Sequence, residues 1–125
     1  MQIAMIGTGY VGLVTGACFS EFGAVVTCVD SDKVKIERLN NGEIPIFEPG
    51  LEALVQSNVK AGRLFFSCEL RTAVANSDAV FIAVGTPSRR GDGHADLTYV
   101  FSAAKEIAEA LDAVSYTHLT LPTTY

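Results

Sequence analysis

The chain has 125 residues, of which 49% are hydrophobic and 18% charged, and a formal net charge of −5. This composition excludes a disordered chain and predicts one packed domain, which buries roughly two-thirds of its unfolded surface. The acidic balance argues against a nucleic-acid binder, and Cys18, Cys28 and Cys68 show neither a disulfide framework nor the C-x-x-C spacing of a zinc site.

In chain order, the apolar run "QIAMI" predicts a short buried strand, stopped at once by Gly7. Val11, Val14, Cys18 and Phe22 fall at helical spacing and predict a helix over residues 10–22, capped by Gly23. "VVTCVD" is a β-branched run ending in an acid, read as a second strand buried on both faces. A polar helix follows over 32–41 and stops at Gly42. "EIPIF" is expected to pack Ile44, Ile46 and Phe47 onto the domain surface. Glu48 is expected at the N-cap of the next helix (49–59), with Pro49 at its first position and Glu52 in its first turn.

"RLFFSC" predicts a third strand, "ELRTAVANS" a short helix, and "DAVFIAVG" the most apolar strand of all. After the polar loop "TPSRRGDGHAD", residues 97–111 form an amphipathic pattern, with Val100, Ala103, Ala104, Ile107 and Leu111 on one side. Strands alternating with helices predict a doubly wound α/β fold with a parallel sheet covered on both faces.

Two loops carry chemistry. "GTGYVG" places Gly7, Gly9 and Gly12 in G-x-G-x-x-G spacing between a strand and a helix, and Asp30 ends the next strand eighteen positions later. Gly7 permits the tight turn, Gly9 lets a pyrophosphate approach the backbone, and Gly12 lets helix and strand pack closely. Free N–H groups at the helix start attract phosphate. Asp30 accepts from ribose hydroxyls and repels a 2′-phosphate, so the pattern points to NAD rather than NADP, with Lys33 and Lys35 softening the preference. The second loop, Val84, Gly85, Thr86 and Pro87, ends the fourth strand where connections diverge from the first, the crevice in which ligands bind in such sheets. Read as residues alone, Lys35 is more often a solvated helix lysine than a cofactor contact. His94, Arg89 and Arg90 read as solvated loop residues, and no catalytic or metal-binding set emerges.

The stretches "IGTGYVGLVTG", "CVDSDKVKIERLNNGEIPIFEPGLEAL", "FIAVGTPS" and "GDGHADLTYV" together resemble the N-terminal NAD-binding domain of the UDP-glucose/GDP-mannose dehydrogenase family, over residues 1–112. The last of them looks more like the UDP-glucose branch. The resemblance implies a Rossmann-type domain whose glycine loop, with Tyr10 and Val11 at its centre, holds the NAD pyrophosphate. It also implies ribose contacts from Asp30 and Lys35, and a contact from Thr86. For the whole enzyme it implies a homo-oligomer that oxidises UDP-glucose to UDP-glucuronate in two NAD-dependent steps, through a cysteine thioester formed beyond this chain. The alternatives are a dehydrogenase of GDP-mannose or UDP-N-acetyl sugars, or a stand-alone NAD-binding sensor. The first apolar run, too short for a span and without a signal peptide's charged start, makes the cytoplasm the expected compartment.

After Asp112 the family would continue into a fifth strand ending in a Lys-Ser-Thr-Val-Pro-like motif. "AVSYTHLTLPTTY" has no lysine, and residues 113–125 are expected to be a non-native tail that truncates the sheet after the fourth strand and its helix. The rival expectation is a makeshift strand over the Thr-rich residues 116–121.

Overall fold

Alternation along the first strand sets the layering. In β1 (Gln2–Ile6), Ile3 and Met5 point into one core while Ala4 and Ile6 point into another. Successive strand residues face opposite sides, so a strand apolar at both must be covered twice. The structure, a computed structural model, describes residues 1–85, 93 and 96–111, and the backbone of 119–120.

The first core lies under α1 (Tyr10–Glu21), α2 (Lys33–Asn40) and α3 (Leu51–Lys60), which contribute Leu13, Ala17, Leu39 and Val55. The second lies under α4 (Leu70–Ala75) and α5 (Thr98–Leu111), which contribute Val74, Ala103, Ile107 and Ala110. Each fully buried aliphatic side chain here removes enough apolar surface from water to contribute about 1.5–3 kcal/mol. The other strands are β2 (Val25–Val29), β3 (Leu64–Ser67), β4 (Ala79–Ile82) and β5 (Leu119–Thr120). All pairings are parallel, in the order β3-β2-β1-β4-β5. This is the doubly wound α/β sheet that the alternating pattern predicts. The sheet was expected to end after its fourth strand, but Leu119 and Thr120 pair with Val80 and Phe81 of β4, within the stretch that the rival expectation read as a makeshift strand.

The segment between α2 and α3 differs from its sequence reading. Ile44 and Ile46 pack on the first core as expected, but Phe47 is fully exposed. The helix begins at Leu51 with Gly50 as its N-cap, not at Pro49 with Glu48 as cap. Gly50 sits at φ +81°, a conformation that L side chains rarely adopt, and inserts a turn before the helix. The Leu51 N–H donates to the Glu48 carbonyl at 3.1 Å across that turn. The Glu48 carboxylate, freed from capping, turns elsewhere.

Order and layering position the site. β1 and β4 are neighbours, yet β1 leads into α1 on one face and β4 leads toward α5 on the other. The two connections part at the carboxyl ends of these strands and leave a crevice between them.

Candidate functional site

A cleft of about 620 Å³ opens at that divergence. Its floor is the turn after β1. Gly7 adopts φ +111° and donates its N–H to the Val29 carbonyl at 2.7 Å, tying the turn to β2. A Cβ there would lie 2.5 Å from the Ala83 carbonyl oxygen, so the turn closes against the end of β4 only around glycine. Gly12 is still tighter, since an added Cβ would lie 2.0 Å from the Gly7 carbonyl oxygen. Gly9 is different. Its φ of −73° suits any residue, and an added Cβ would meet nothing within 4 Å. Among the described residues, nothing in the protein calls for glycine at position 9.

Gly9 is the N-cap of α1 and offers no side-chain cap to the first N–H groups of the helix. The first turn carries no acidic residue. Those amides and the positive end of the helix dipole form a ready site for an anion.

Asp30 stands at the other end of the floor, just past β2. Its Oδ2 accepts from the Thr8 hydroxyl at 2.6 Å and the Thr8 N–H at 3.2 Å, with Lys35 Nζ 3.7 Å away. Its Oδ1 accepts from the Asp32 N–H at 3.0 Å. Burial pushes this carboxyl upward. The Thr8 hydroxyl, the Asp32 amide, the Lys35 ammonium and the Thr8 amide together outweigh burial and hold its pKa below the usual aspartate value. Asp32 in turn caps α2, accepting from the N–H groups of Val34 and Lys35, which fixes the helix start that carries Lys35.

Of the residues expected from sequence, Gly7, Gly9, Asp30, Lys35, Val84 and Gly85 line the cleft together. Gly12 is buried beneath the turn, where it packs helix against strand. Tyr10 and Val11 stand exposed at the helix start. The Tyr10 hydroxyl donates to the Glu48 carboxylate at 2.9 Å, and this hydrogen bond to an anion raises the tyrosine pKa. Thr86 and Pro87 lie outside the described residues, as do Arg89, Arg90 and His94.

The structure adds lining residues that the sequence reading missed: Thr8 and Ser31 on the floor, Cys68 and Leu70 after β3, and Tyr99, Ser102 and Glu106 along α5. A signal existed for the α5 set, because positions 99, 102, 103 and 106 follow helical spacing beside the buried stripe of Ala103 and Ile107. Cys28 is fully buried, and burial pushes its thiol up to about 12, whereas Cys18 and Cys68 are half-buried. All three are free thiols. Among the described residues there is no metal-ligand cluster, and no helix is long and apolar enough to cross a membrane.

Residues 1–118 match the model of the UDP-glucose/GDP-mannose dehydrogenase family, NAD binding domain. The chain belongs to the UDP-glucose/GDP-mannose dehydrogenase family. This is a family of NAD-dependent nucleotide-sugar dehydrogenases, and NAD is the cofactor of the domain matched here. A UDP-glucose 6-dehydrogenase of Rhizobium meliloti is 64% identical over 124 residues, which is 98% of this chain and 28% of that protein. Among solved structures, a ternary complex of GDP-mannose dehydrogenase from Pseudomonas aeruginosa superimposes with a TM-score of 0.94 at 41% identity, covering 100% of this chain and 29% of that one. A UDP-glucose dehydrogenase from Pyrobaculum islandicum gives a TM-score of 0.85 at 38% identity, covering 97% and 29%. The chain thus spans less than a third of the length of the family members it matches.

Proposed function

We propose that NAD lies along this cleft with its pyrophosphate over Gly9 and the amide groups of Tyr10, Val11 and Gly12, and its adenosine ribose on Asp30 and Lys35. Val84 and Gly85 line the wall beside β4, and Thr86 and Pro87 are proposed as further cofactor contacts. The observation that carries this reading is the contrast among the glycines. Gly7 and Gly12 are demanded by protein atoms within 2.5 Å of an added Cβ, whereas Gly9 faces open space at a helix N-terminus. Asp30, held ionised beside the ribose position, supports NAD over NADP, since a 2′-phosphate would meet its charge.

The whole enzyme that contains this domain is proposed to oxidise UDP-glucose to UDP-glucuronate, transferring two hydrides to two molecules of NAD. The 64% identity to a UDP-glucose 6-dehydrogenase supports this branch over GDP-mannose and UDP-N-acetyl sugars. The cofactor supplies the hydride acceptor; this chain's residues bind and orient it. The three free thiols fit a reducing, cytoplasmic setting, and the whole enzyme is proposed to be a homo-oligomer. Residues 1–112 are proposed as the native NAD-binding portion and 113–125 as a non-native tail, tested by resequencing the source DNA from the codon for Ala110 onward.

The test of the cofactor site is a titration of the chain with NADH and NADPH, followed by fluorescence. NADH should bind at least ten times more tightly than NADPH, on the order of one unfavourable charge contact. Equal binding of the two, or none, would sink the proposal.

A further inference from the structure

Thr8 is the middle residue of the G-x-G turn, a position that the glycine pattern leaves open. Here it is fully buried and polar, and both of its donors are spent on one acceptor: hydroxyl and N–H converge on Asp30 Oδ2, at 2.6 and 3.2 Å. We propose that Thr8 is a positioning residue for cofactor selection, holding the Asp30 carboxylate in the orientation that meets the ribose and turns away a 2′-phosphate. This rests on the NAD reading of the cleft.

A carboxylate offers about four acceptor positions. Thr8 and Lys35 occupy the Oδ2 side and the Asp32 amide takes one position on Oδ1, which leaves the rest of Oδ1 for an incoming hydroxyl. The carboxylate is not free to swing. Rotation would strand the Thr8 hydroxyl inside the protein with its hydrogen bond unmade, and a buried unsatisfied donor is expensive. Because Thr8 is also the link between Gly7 and Gly9, one residue joins the ribose-facing acid to the pyrophosphate-facing turn. The two halves of the cofactor therefore bind to a single braced unit.

Thr8→Val keeps the side-chain shape and the N–H donor but removes the hydroxyl, whereas Thr8→Ser keeps the hydroxyl. In fluorescence titrations of the 125-residue chain, Thr8→Val should weaken NADH about tenfold, the scale of one hydrogen bond to a charged group. NADPH should change less than about twofold, so the preference contracts. Thr8→Ser should restore the parent ratio. Equal weakening of both nucleotides by Thr8→Val would mean that Thr8 only shapes the turn, and would overturn the inference. A parent chain that binds neither nucleotide would bring down the cofactor reading and this inference with it. A second measurement needs no cofactor: the Asp30 carboxyl, followed by NMR through an acid titration, should titrate at higher pH in Thr8→Val and return in Thr8→Ser. An Asp30 titration indifferent to Thr8→Val would also overturn it. Should Thr8→Val not fold, Thr8→Ala takes the same two measurements.

Discussion

Replacing Gly9 by alanine separates what the fold needs from what the ligand needs. At position 9 the backbone already sits at φ −73°, ψ −167°, and the new methyl would touch nothing within 4 Å. Alanine narrows the unfolded ensemble, a gain of about 0.4–1 kcal/mol. It is also a poorer N-cap than glycine, a loss of about 0.5–1 kcal/mol. The two nearly cancel, so Gly9→Ala should change stability by no more than about 0.5 kcal/mol and the melting temperature by roughly 2–3 °C. Binding should behave differently, because the methyl occupies the surface against which the pyrophosphate is proposed to press. NADH affinity should fall at least tenfold, or about 1.4 kcal/mol. Gly12→Ala is the control of opposite sign. Its Cβ would lie 2.0 Å from the Gly7 carbonyl oxygen, more than an ångström inside normal contact, so the turn or the helix must move. That costs about 3 kcal/mol or more. Thermal melts and NADH titrations of both variants decide the matter. A Gly9→Ala chain that binds NADH like the parent would refute a pyrophosphate contact at this residue. One that melts far below the parent would show that position 9 serves packing after all.

Two pH-dependent effects follow from the buried and braced groups. The folded pKa of Asp30 is lowered, so its ionised form stabilises the fold at pH values above the unfolded aspartate value of about 3.9 and loses that contribution as pH falls through the folded value. Asp30→Asn should therefore be less stable than the parent near pH 7, with the gap closing in acid; a gap independent of pH in urea melts would contradict the assignment. Cys28 is shifted the other way, to about 12, so the neutral thiol's contribution is intact below the unfolded thiol pKa of about 8.5 and fades as pH rises toward the folded value. In the native chain at pH 8, iodoacetamide should modify half-buried Cys18 and Cys68 well before Cys28, and mass spectrometry that finds Cys28 labelled first would count against the buried-thiol picture.

Most of the fold was legible because its strands are short apolar runs bounded by glycine or acid. Its helices were less uniformly legible: α1 buries Leu13, Gly16 and Ala17, while Val11 and Phe22 of the expected stripe stand exposed. Gly7, Gly12 and Asp30 were legible because each performs a job that few residue types can do. Thr8 was not, because a threonine beside a glycine turn reads as an ordinary turn residue until its tertiary partner, twenty-two positions away, is known. The start of α3 was misplaced for a similar reason. Glu48-Pro49 has the chemistry of a helix start, but Gly50 in the left-handed region interposes a turn, and Glu48 is drawn instead to the Tyr10 hydroxyl. Phe47 was expected to pack onto the domain surface with Ile44 and Ile46 but stands fully exposed, as a single surface hydrophobic residue readily does. The α5 side of the cleft was readable in principle, but only once the sheet order had placed that helix over the crevice.

The strand order has a kinetic consequence as well. β1 lies at the centre, pairing Gln2 with Val25 on one side and Ile3 with Ala79 on the other. The second closure spans a loop more than three times as long as the first, and on chain entropy alone it is disfavoured by about 1 kcal/mol more. During refolding, β1 and β2 should thus meet before β4 arrives, and Thr8 would find Asp30 while the opposite wall at Ala83, Val84 and Gly85 is still absent. The ribose end of the cleft is assembled early and the crevice is completed late, so the recovery of NADH binding during refolding would time the last long-range step of folding rather than the first.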